Sequence, residues 1–374
     1  MTPPRDPVAA VTHQDPYPYY AELVACRPLY RDDALGLWVA SSAAAVRAVL
    51  SHPAGRVRPP AEPVPAAIVG SPAGDIFRRL IRMNDGVAHD CMKRAVSATL
   101  DAVDPARIDV ISRERAHALV AALAPQHDVR QLTDFAFQLT AEVVASLLGA
   151  ERDSIAAVAG WTKNFVGGIA PGAPRDVVQR GRAAAAHLLD IGAELQAGGG
   201  LVTALSRRAP DDPAAAVANA LGLLSQAYEA TTGLIGNTLL ALARHAPRNA
   251  SMPALVREVA RHDSPVQNTR RFLAEDAAVM GARMEAGDGV LVVLAAANRD
   301  PAVNPDAAAF DPGRVSPVVF TFGTETHACP GSAIATAIAG AAVETLLDAG
   351  LQLERLTAGV SYRPSGNVRV PVFG

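Results

Sequence analysis

A single cysteine in a glycine-flanked loop, directly before an alanine-rich helical segment, constrains this chain more than any other feature. The loop runs from Phe320 to Gly331 with the sequence FTFGTETHACPG, and Cys329 is its cysteine. The N–H groups and positive dipole end at a helix N-terminus favour an anion and lower a thiol's pKa. The pattern therefore suits the presentation of one thiolate to a metal. A buried, inert cysteine after a turn is the alternative interpretation.

The composition indicates a globular protein and argues against a nucleic-acid partner. Of the 374 residues, 50% are hydrophobic and 19% charged, which is unlike a disordered chain. The net charge of −3 shows no excess of basic residues of the kind that binds nucleic acid. Three widely spaced cysteines, Cys26, Cys91 and Cys329, form no disulfide or zinc pattern. The first residues lack an apolar signal segment, and no run reaches the roughly 18 apolar residues that span a bilayer. We expect a cytoplasmic protein without a membrane anchor.

Hydrophobic periodicity and turn residues predict a mostly helical chain with small β elements. Helices are expected over 43–50, 214–245 and 332–347, and from 89 to 147 with breaks, whereas short strands are expected at 37–39, 289–294 and 368–373. The Pro- and Gly-rich stretch 56–74 predicts a long loop. The glycines and prolines within 165–174 predict a break between two helices. We expect both segments to border a substrate pocket.

The pattern F-G-x-x-x-H-x-C-x-G, from Phe322 to Gly331, resembles the haem-binding loop of the cytochrome P-450 family. The resemblance implies that Cys329 is the thiolate ligand of haem iron and that Phe322, His327 and Gly331 contact the cofactor. Thiolate ligation favours O–O bond cleavage. The family usually has a second glycine where this chain has Glu325, and this departure concerns the shape of the loop rather than the ligand.

A second match is the Glu-x-x-Arg pair formed by Glu258 and Arg261. Their i, i+3 spacing puts both charges on one helix face. Taken alone, such a pair is usually a solvated salt bridge worth a fraction of a kcal/mol. In the family, the corresponding pair forms a buried network with a downstream arginine. The resemblance implies that Arg314 is this arginine and that the network supports the cysteine loop.

Further matches supply side chains for the haem propionates. Arg271 occupies the position of a family arginine that binds one propionate, for which its bidentate fork is suited. His327 is expected to reach a propionate or a nearby carboxylate. His89 and Lys93 match the pair that meets the other propionate, although the family usually has arginine at the second position. A basic surface turn is the alternative interpretation of His89 and Lys93.

The long helix resembles the family's distal helix but lacks its threonine. The usual sequence there is A-G-x-(D/E)-T, in which the threonine hydroxyl helps deliver protons for O–O cleavage. Here the acid is present as Glu229, and Ala230 stands in place of the threonine. Alanine cannot donate a hydrogen bond. Thr231 lies about 100° further round the helix and is a poor direct substitute.

Gln226 offers another donor, because it lies four residues before Ala230 on the same helix face. Our hypothesis is that its amide donates to oxygen or to substrate in place of the missing hydroxyl. The alternatives are that Gln226 only fills space or that the substrate supplies the missing group. Replacing Gln226 by alanine should then impair the coupling of electrons to product.

The resemblance implies a mainly α fold with small β-sheets, in one domain spanning residues 1–374. A short disordered N-terminus is expected over about residues 1–14. Haem b would lie between the distal helix and the cysteine loop. The implied function is a soluble bacterial monooxygenase that takes electrons from a ferredoxin and its reductase, or from another donor. Its expected substrate is a natural-product intermediate of secondary metabolism, free or carrier-bound.

Two other functions remain open at this stage. The absence of the distal threonine is compatible with oxidative coupling or cyclisation, nitration or a peroxide-driven oxidation. A non-catalytic haem-binding protein is the second alternative, against which the intact cysteine loop and Glu229 argue. The pocket segments are mostly small and apolar, with Asn268 and Thr269 as polar anchors. They favour a ligand with an apolar body and few polar groups.

Overall fold

The computed structural model describes residues 2–246 and 250–374, and it confirms a mostly helical chain with small sheets. The helices are α1 (Tyr17–Cys26), α2 (Ala43–Leu50), α3 (Pro72–Phe77), α4 (Gly86–Asp101), α5 (Pro105–Leu123), α6 (Leu132–Leu148), α7 (Ile155–Ile169), α8 (Arg175–Glu194), α9 (Leu201–Arg208), α10 (Pro213–His245), α11 (Met252–His262), α12 (Leu294–Asn298) and α13 (Ser332–Asp348). None of the helices within those residues is both long and apolar enough to cross a lipid bilayer.

Helix α10 is the longest element, and its 33 residues span about 50 Å at 1.5 Å per residue. The Asp212 side chain caps its start by accepting a hydrogen bond from the Ala215 N–H at 2.9 Å. Pro213 occupies the first turn, where its missing N–H removes no intrahelical hydrogen bond. Helices α6 and α13 pack against α10, which is buried along most of its length. The sequence prediction of a helix over 214–245 is confirmed.

One five-stranded sheet lies beside the helices and carries part of the cavity wall. The strands of the chain are β1 (Leu29–Asp32), β2 (Leu37–Ala40), β3 (Gly55–Arg56), β4 (Thr269–Leu273), β5 (Ala277–Val279), β6 (Ala282–Met284), β7 (Gly289–Val292), β8 (Ser361–Tyr362) and β9 (Pro371–Val372). The large sheet has the order β1-β2-β7-β4-β3, in which only β2 and β7 run parallel. Thr269 of β4 lies opposite Val292 of β7, and this register sets the position of Arg271.

The N-terminal segment differs from the expected disorder over residues 1–14, of which Met1 lies outside the described residues. Residues Ala9–Thr12 form a 3₁₀ turn, and Val11 is fully buried. The guanidinium of Arg369, itself buried, donates hydrogen bonds to the carbonyls of Val11 at 3.0 Å and His13 at 2.6 Å. A buried charge needs such partners. The need of Arg369 for acceptors therefore ties this segment down.

Helix α7 also departs from the sequence prediction, because Gly168 lies inside it and the break falls at 170–174. A Cβ atom on Gly168 would lie 2.6 Å from the Cα atom of Gly181 in α8. The glycine therefore permits close helix packing rather than ending a helix. The predicted loop 56–74 is shorter than expected, since α3 begins at Pro72. The predicted strand 368–373 is reduced to β9.

The Glu258–Arg261 pair is buried, as the resemblance implied. Arg261 donates to both carboxylate oxygens of Glu258, at 2.9 and 2.6 Å, and both side chains are almost inaccessible. Arg261 also donates to the carbonyls of Ala307 at 2.8 Å and Ala309 at 2.9 Å. Arg314 donates to Glu258 at 3.4 Å. The network thus joins α11 to the irregular segment that leads to the cysteine loop.

Removing one charge of this pair should destabilise the protein strongly. We expect Glu258→Ala to lower the free energy of unfolding by about 3–5 kcal/mol, because Arg261 would be left buried without a counter-charge. Asp176→Ala breaks an exposed ion pair with Arg180 and should cost less than about 1 kcal/mol. Denaturation in guanidinium chloride followed by circular dichroism measures both. Equal effects of the two variants would contradict this role.

Candidate functional site

A cavity of about 1930 Å³ lies between α10 and the loop that holds Cys329. Each segment that was expected to border a pocket contributes to its wall. The wall includes the α10 residues 223 and 225–231, the loop residues Phe322, Gly323 and Cys329, the β4 region 268–272, and parts of 57–68 and 166–173. The structure therefore brings the predicted distal and cysteine-loop residues to opposite sides of one space.

The cysteine loop is fixed by backbone and side-chain hydrogen bonds. The Cys329 N–H donates to the Phe322 carbonyl at 2.6 Å, which closes the loop. Thr321 donates from Oγ1 to the Ala260 carbonyl of α11 at 2.5 Å. Asn298 donates to Thr321 Oγ1 at 2.8 Å and accepts from the Phe320 N–H at 2.5 Å. The loop is thereby attached to α11 and α12.

The Cys329 side chain is exposed, and the surface that it exposes is part of the cavity wall. Gly331 caps the start of α13 directly after it. Burial among the surrounding loop atoms raises the pKa of the Cys329 thiol, while a hydrogen bond from the Gly331 backbone and the positive charge of Lys93 act to lower it. The groups that favour a thiolate are thus in place, although burial outweighs them for the thiol.

Lys93 and His89 both reach the cysteine loop from α4. Lys93 donates a hydrogen bond from Nζ to the Ala328 carbonyl. Burial lowers the pKa of Lys93, and the neighbouring Cys329 opposes this shift. The buried His89 ring packs against the His327 ring with their centroids 4.2 Å apart. His89 also bonds through Nδ1 to the Asp90 carboxylate at 2.9 Å.

Around His327, a carboxylate that the sequence analysis did not identify completes a charged cluster. His327 Nε2 bonds to Asp85 Oδ1 at 3.1 Å. Burial lowers the pKa of His327 and the Asp85 hydrogen bond opposes this shift. Burial alone would raise the pKa of Asp85, but the hydrogen bonds from His327 and the Val57 N–H lower it below its usual value. Arg271 belongs to the same cluster because its charge acts on both groups.

On the distal side, the side chains of α10 are engaged with protein rather than aimed freely into the cavity. Gln226 donates from Nε2 to the Gly222 carbonyl at 3.0 Å. Glu229 accepts a hydrogen bond from Arg363 at 3.3 Å. Ala230 lines the cavity and offers no hydroxyl. Thr231 is 1% exposed, and its Oγ1 has no hydrogen-bond partner in residues 2–246 and 250–374.

Several residues in or near the site were not identified from the sequence. Asp85 lies four residues before His89 in the same matched stretch, and this spacing could have identified it. Arg58 and Arg82 line the cavity, but they stand in segments without periodicity and carry no spacing signal. The predicted polar anchor Asn268 donates to the Gly366 carbonyl at 2.9 Å, so its amide group is partly engaged.

Known proteins that are similar to this chain agree on one family. A family model described as Cytochrome P-450 matches residues 250–349. The chain is 30% identical to the cytochrome P-450 monooxygenase PikC of Streptomyces venezuelae, over 89% of this chain and 83% of that relative. This chain belongs to the cytochrome P-450 family.

Two further comparisons support the assignment to the cytochrome P-450 family. The biotin biosynthesis cytochrome P-450 of Bacillus subtilis is 25% identical, over 94% of this chain and 93% of the relative. The crystal structure of CalO2 matches with a TM-score of 0.82 and 25% identity, covering 100% of this chain and 99% of that chain. The predicted cytochrome P-450 fold is confirmed, and the chain is an enzyme of the monooxygenase type.

The residues around the cavity fit the haem-thiolate group that this family carries. The Cys329 thiol faces the cavity at the start of α13. Arg271 is only 7% exposed and lies in the cavity wall, where burial lowers its pKa. A buried guanidinium is stabilised by a carboxylate at bidentate distance. A thiol and a buried cation on one wall thus match the iron and the propionate of a haem.

Glu325 occupies a backbone conformation that favours glycine. Its φ is +55°, in the left-handed region, and Gly323 two residues earlier has a φ of +70°. A residue with a Cβ atom is strained by roughly 1–2 kcal/mol in this region. The loop therefore holds a glutamate in a backbone conformation that glycine adopts more readily.

Restoring a glycine should relieve this strain. We expect Glu325→Gly to raise the free energy of unfolding by up to about 1 kcal/mol, because the relieved strain exceeds the added freedom of the unfolded chain. Glu325→Ala should show no such gain, since alanine keeps the Cβ atom. Glu325→Pro should destabilise, because proline cannot adopt a positive φ. Denaturant midpoints of the three variants measure this, and a gain with alanine equal to that with glycine would contradict the explanation.

Proposed function

We propose that this chain is a haem-thiolate oxidase in which Cys329 is the axial iron ligand. Haem b would lie between α10 and the cysteine loop, and the 374 residues would act as one domain. One observation carries the proposal: the exposed Cys329 lines a large cavity whose wall also includes the distal helix. Its place at the N-terminus of α13, beside Lys93 and the Gly331 N–H, supports a thiolate there.

The proposed propionate contacts come from the charged cluster at the edge of the cavity. Arg271 would bind one propionate, and its burial without a bidentate carboxylate partner among the described residues supports this role. His327 and His89 would contribute ring N–H donors, and Lys93 a point charge. Asp85 would orient His327 through their 3.1 Å hydrogen bond. Phe322 and Gly331 would hold the loop against the cofactor.

The protein's own contribution to the reaction is to hold groups and protons around the cavity. When bound, the haem supplies the activation of dioxygen, which thiolate ligation favours. Glu229 would hold a proton at its carboxylate for delivery into the cavity, and its pairing with Arg363 would orient it. Gln226 would donate its second amide hydrogen toward the cavity, since the first is bonded to the Gly222 carbonyl.

The proposed substrate class is a natural-product or other biosynthetic intermediate, free or carrier-bound. The Bacillus subtilis relative is a biotin biosynthesis cytochrome P-450, and this similarity supports a biosynthetic role for this chain. Electrons would come from a ferredoxin and its reductase or from an equivalent donor. The apolar side chains among the lining residues favour a substrate with an apolar body.

Ala230 favours a second candidate function. A hydroxyl is absent at the cavity-lining position, and the neighbouring Thr231 hydroxyl is buried. Oxidative coupling or cyclisation, nitration and peroxide-driven oxidation do not need the usual proton delivery to activated oxygen. The peroxide-driven reaction would turn over with peroxide alone, whereas the monooxygenase requires a reductant and dioxygen.

Changing the proposed ligand should change the spectrum of the haem. The reduced, carbon monoxide-bound wild-type protein should show the red-shifted Soret band of thiolate ligation. Cys329→His should replace it with the band of histidine ligation. Cys91→Ser removes an exposed thiol on α4 and should leave the spectrum unchanged. A thiolate-type band in the Cys329→His protein would refute the assignment.

Distal substitutions should alter how electrons are used. We expect Ala230→Thr to lower the peroxide released per electron pair, because a positioned hydroxyl at residue 230 would aid proton delivery. Gln226→Ala should raise the peroxide release, and Thr231→Val should change it less. Peroxide and reductant are measured in the same assay, which needs no knowledge of the product. Substrate oxidation by peroxide alone, at a rate that reductant does not increase, would favour the second candidate function.

A further inference from the structure

Two arginines that line the cavity form no ion pair within residues 2–246 and 250–374. Arg58 lies in the loop before α3, and Arg82 lies in the 3₁₀ turn Ile81–Met83 before α4. Arg58 is held by the carbonyls of Glu62 at 2.8 Å and Pro63 at 3.3 Å. Its guanidinium also lies over the Phe77 ring, 5.4 Å from the centroid. Burial lowers the pKa of Arg58, and the charge of Glu62 opposes this shift, although the two side chains form no ion pair among the described residues.

Arg82 has no ion pair and no hydrogen bond among the residues that the structure describes. Glu229 is the acid whose charge acts on Arg82, but Glu229 already accepts a hydrogen bond from Arg363. Desolvation and the charge of Arg58 together lower the pKa of Arg82 to about 10, and the charge of Glu229 opposes this shift. Arg82 nevertheless keeps an accessible surface, as a ligand contact requires. Two like charges that line one cavity repel each other, and an anion between them would relieve that repulsion.

These arginines are separate from the group proposed to hold the propionates. The charges that act on His327 are those of Arg271, His89 and Asp85. The charges that act on Arg82 are those of Arg58 and Glu229. Glu229 lies on the distal helix, so Arg82 belongs to the side of the cavity where a substrate would bind. The two sets of cations therefore serve different ligands.

We propose that the substrate carries an anionic oxygen head group, a carboxylate or a phosphate, which pairs with Arg82 and Arg58. This inference rests on the proposed function, because it assigns a substrate class to the same cavity. A guanidinium binds either anion through two parallel hydrogen bonds. The wall also contains Leu223, Phe137 and Val166, which suit an apolar body behind the head group. The expected ligand is thus an amphipathic acid rather than a neutral molecule.

The test is a calorimetric titration of the haem-loaded protein with straight-chain probes that differ only in their head groups. The probes are octanoate, dodecanoate and hexadecanoate, the matching alkyl phosphates and the matching alcohols, all below their micelle-forming concentrations. The variants are Arg82→Gln, Arg82→Lys and Arg58→Gln. Arg78→Gln is the matched control, because Arg78 pairs with Asp75 on the surface four residues from Arg82. Lys163→Gln removes another cation from the cavity wall.

We expect the wild-type protein to bind its best anionic probe at least about tenfold more tightly than the matching alcohol, which corresponds to one charge-assisted pair. Arg82→Gln and Arg58→Gln should each remove most of this preference and leave alcohol binding unchanged. Arg82→Lys should keep part of it, and the two controls should keep all of it. Whichever of carboxylate and phosphate binds more tightly identifies the head group.

Three results would overturn the inference: no preference for anions over alcohols in the wild-type protein, equal weakening of both probe classes by Arg82→Gln, or an equal loss with Lys163→Gln. The last result would mean that the summed positive charge of the cavity, and not this pair, attracts the anion.

The absorption spectrum of the reduced, carbon monoxide-bound protein distinguishes failure of this inference from failure of the proposed function. Loss of the thiolate-type band in the wild-type protein refutes the proposed function, whereas absent head-group preference in a protein with that band refutes only this inference.

Discussion

The position of the Cys329 loop depends on the buried ion pair between Glu258 and Arg261. Arg261 uses its remaining hydrogens on the carbonyls of the segment that follows α12, and Asp311 donates its backbone N–H to Glu258 at 2.9 Å. Buried charges tolerate little displacement, because each must keep all its partners. The pair thus converts an irregular segment into a fixed support. The hydrogen bonds of Asn298 and Thr321 then connect this support to the cysteine loop.

The two walls of the cavity follow different physical rules. On the cysteine side, backbone hydrogen bonds and positive φ angles set the geometry, so substitutions there alter shape before they alter chemistry. On the distal side, the backbone is a regular helix, and the chemistry depends on which side chain faces inward. Ala230 illustrates the second rule, because losing one hydroxyl leaves the helix intact. A family member can therefore keep its fold while its reaction changes.

Much of the fold was readable from the sequence, since long helices leave strong periodic and capping signals. The bounds of α2 and the span of α10 were predicted closely, and the structure adds the side chains that cap their starts, Ser42 and Asp212. The order of the N-terminal segment was not predictable, since it depends on the acceptors that Arg369 needs more than 350 residues later. Arg58 and Arg82 were missed for the same reason: only the folded chain brings them to one cavity.

Arg58 and Arg82 lie on separate segments of the chain, with α3 between them. Arg58 belongs to a loop between β3 and α3, whereas Arg82 directly precedes α4. A ligand bound by both would fasten the loop across the cavity for as long as it stayed. Release would then require breaking two charged contacts and displacing the loop together. Substrates would therefore be distinguished mainly by their dissociation rates, since related ligands differ more in how fast they leave than in how fast they bind.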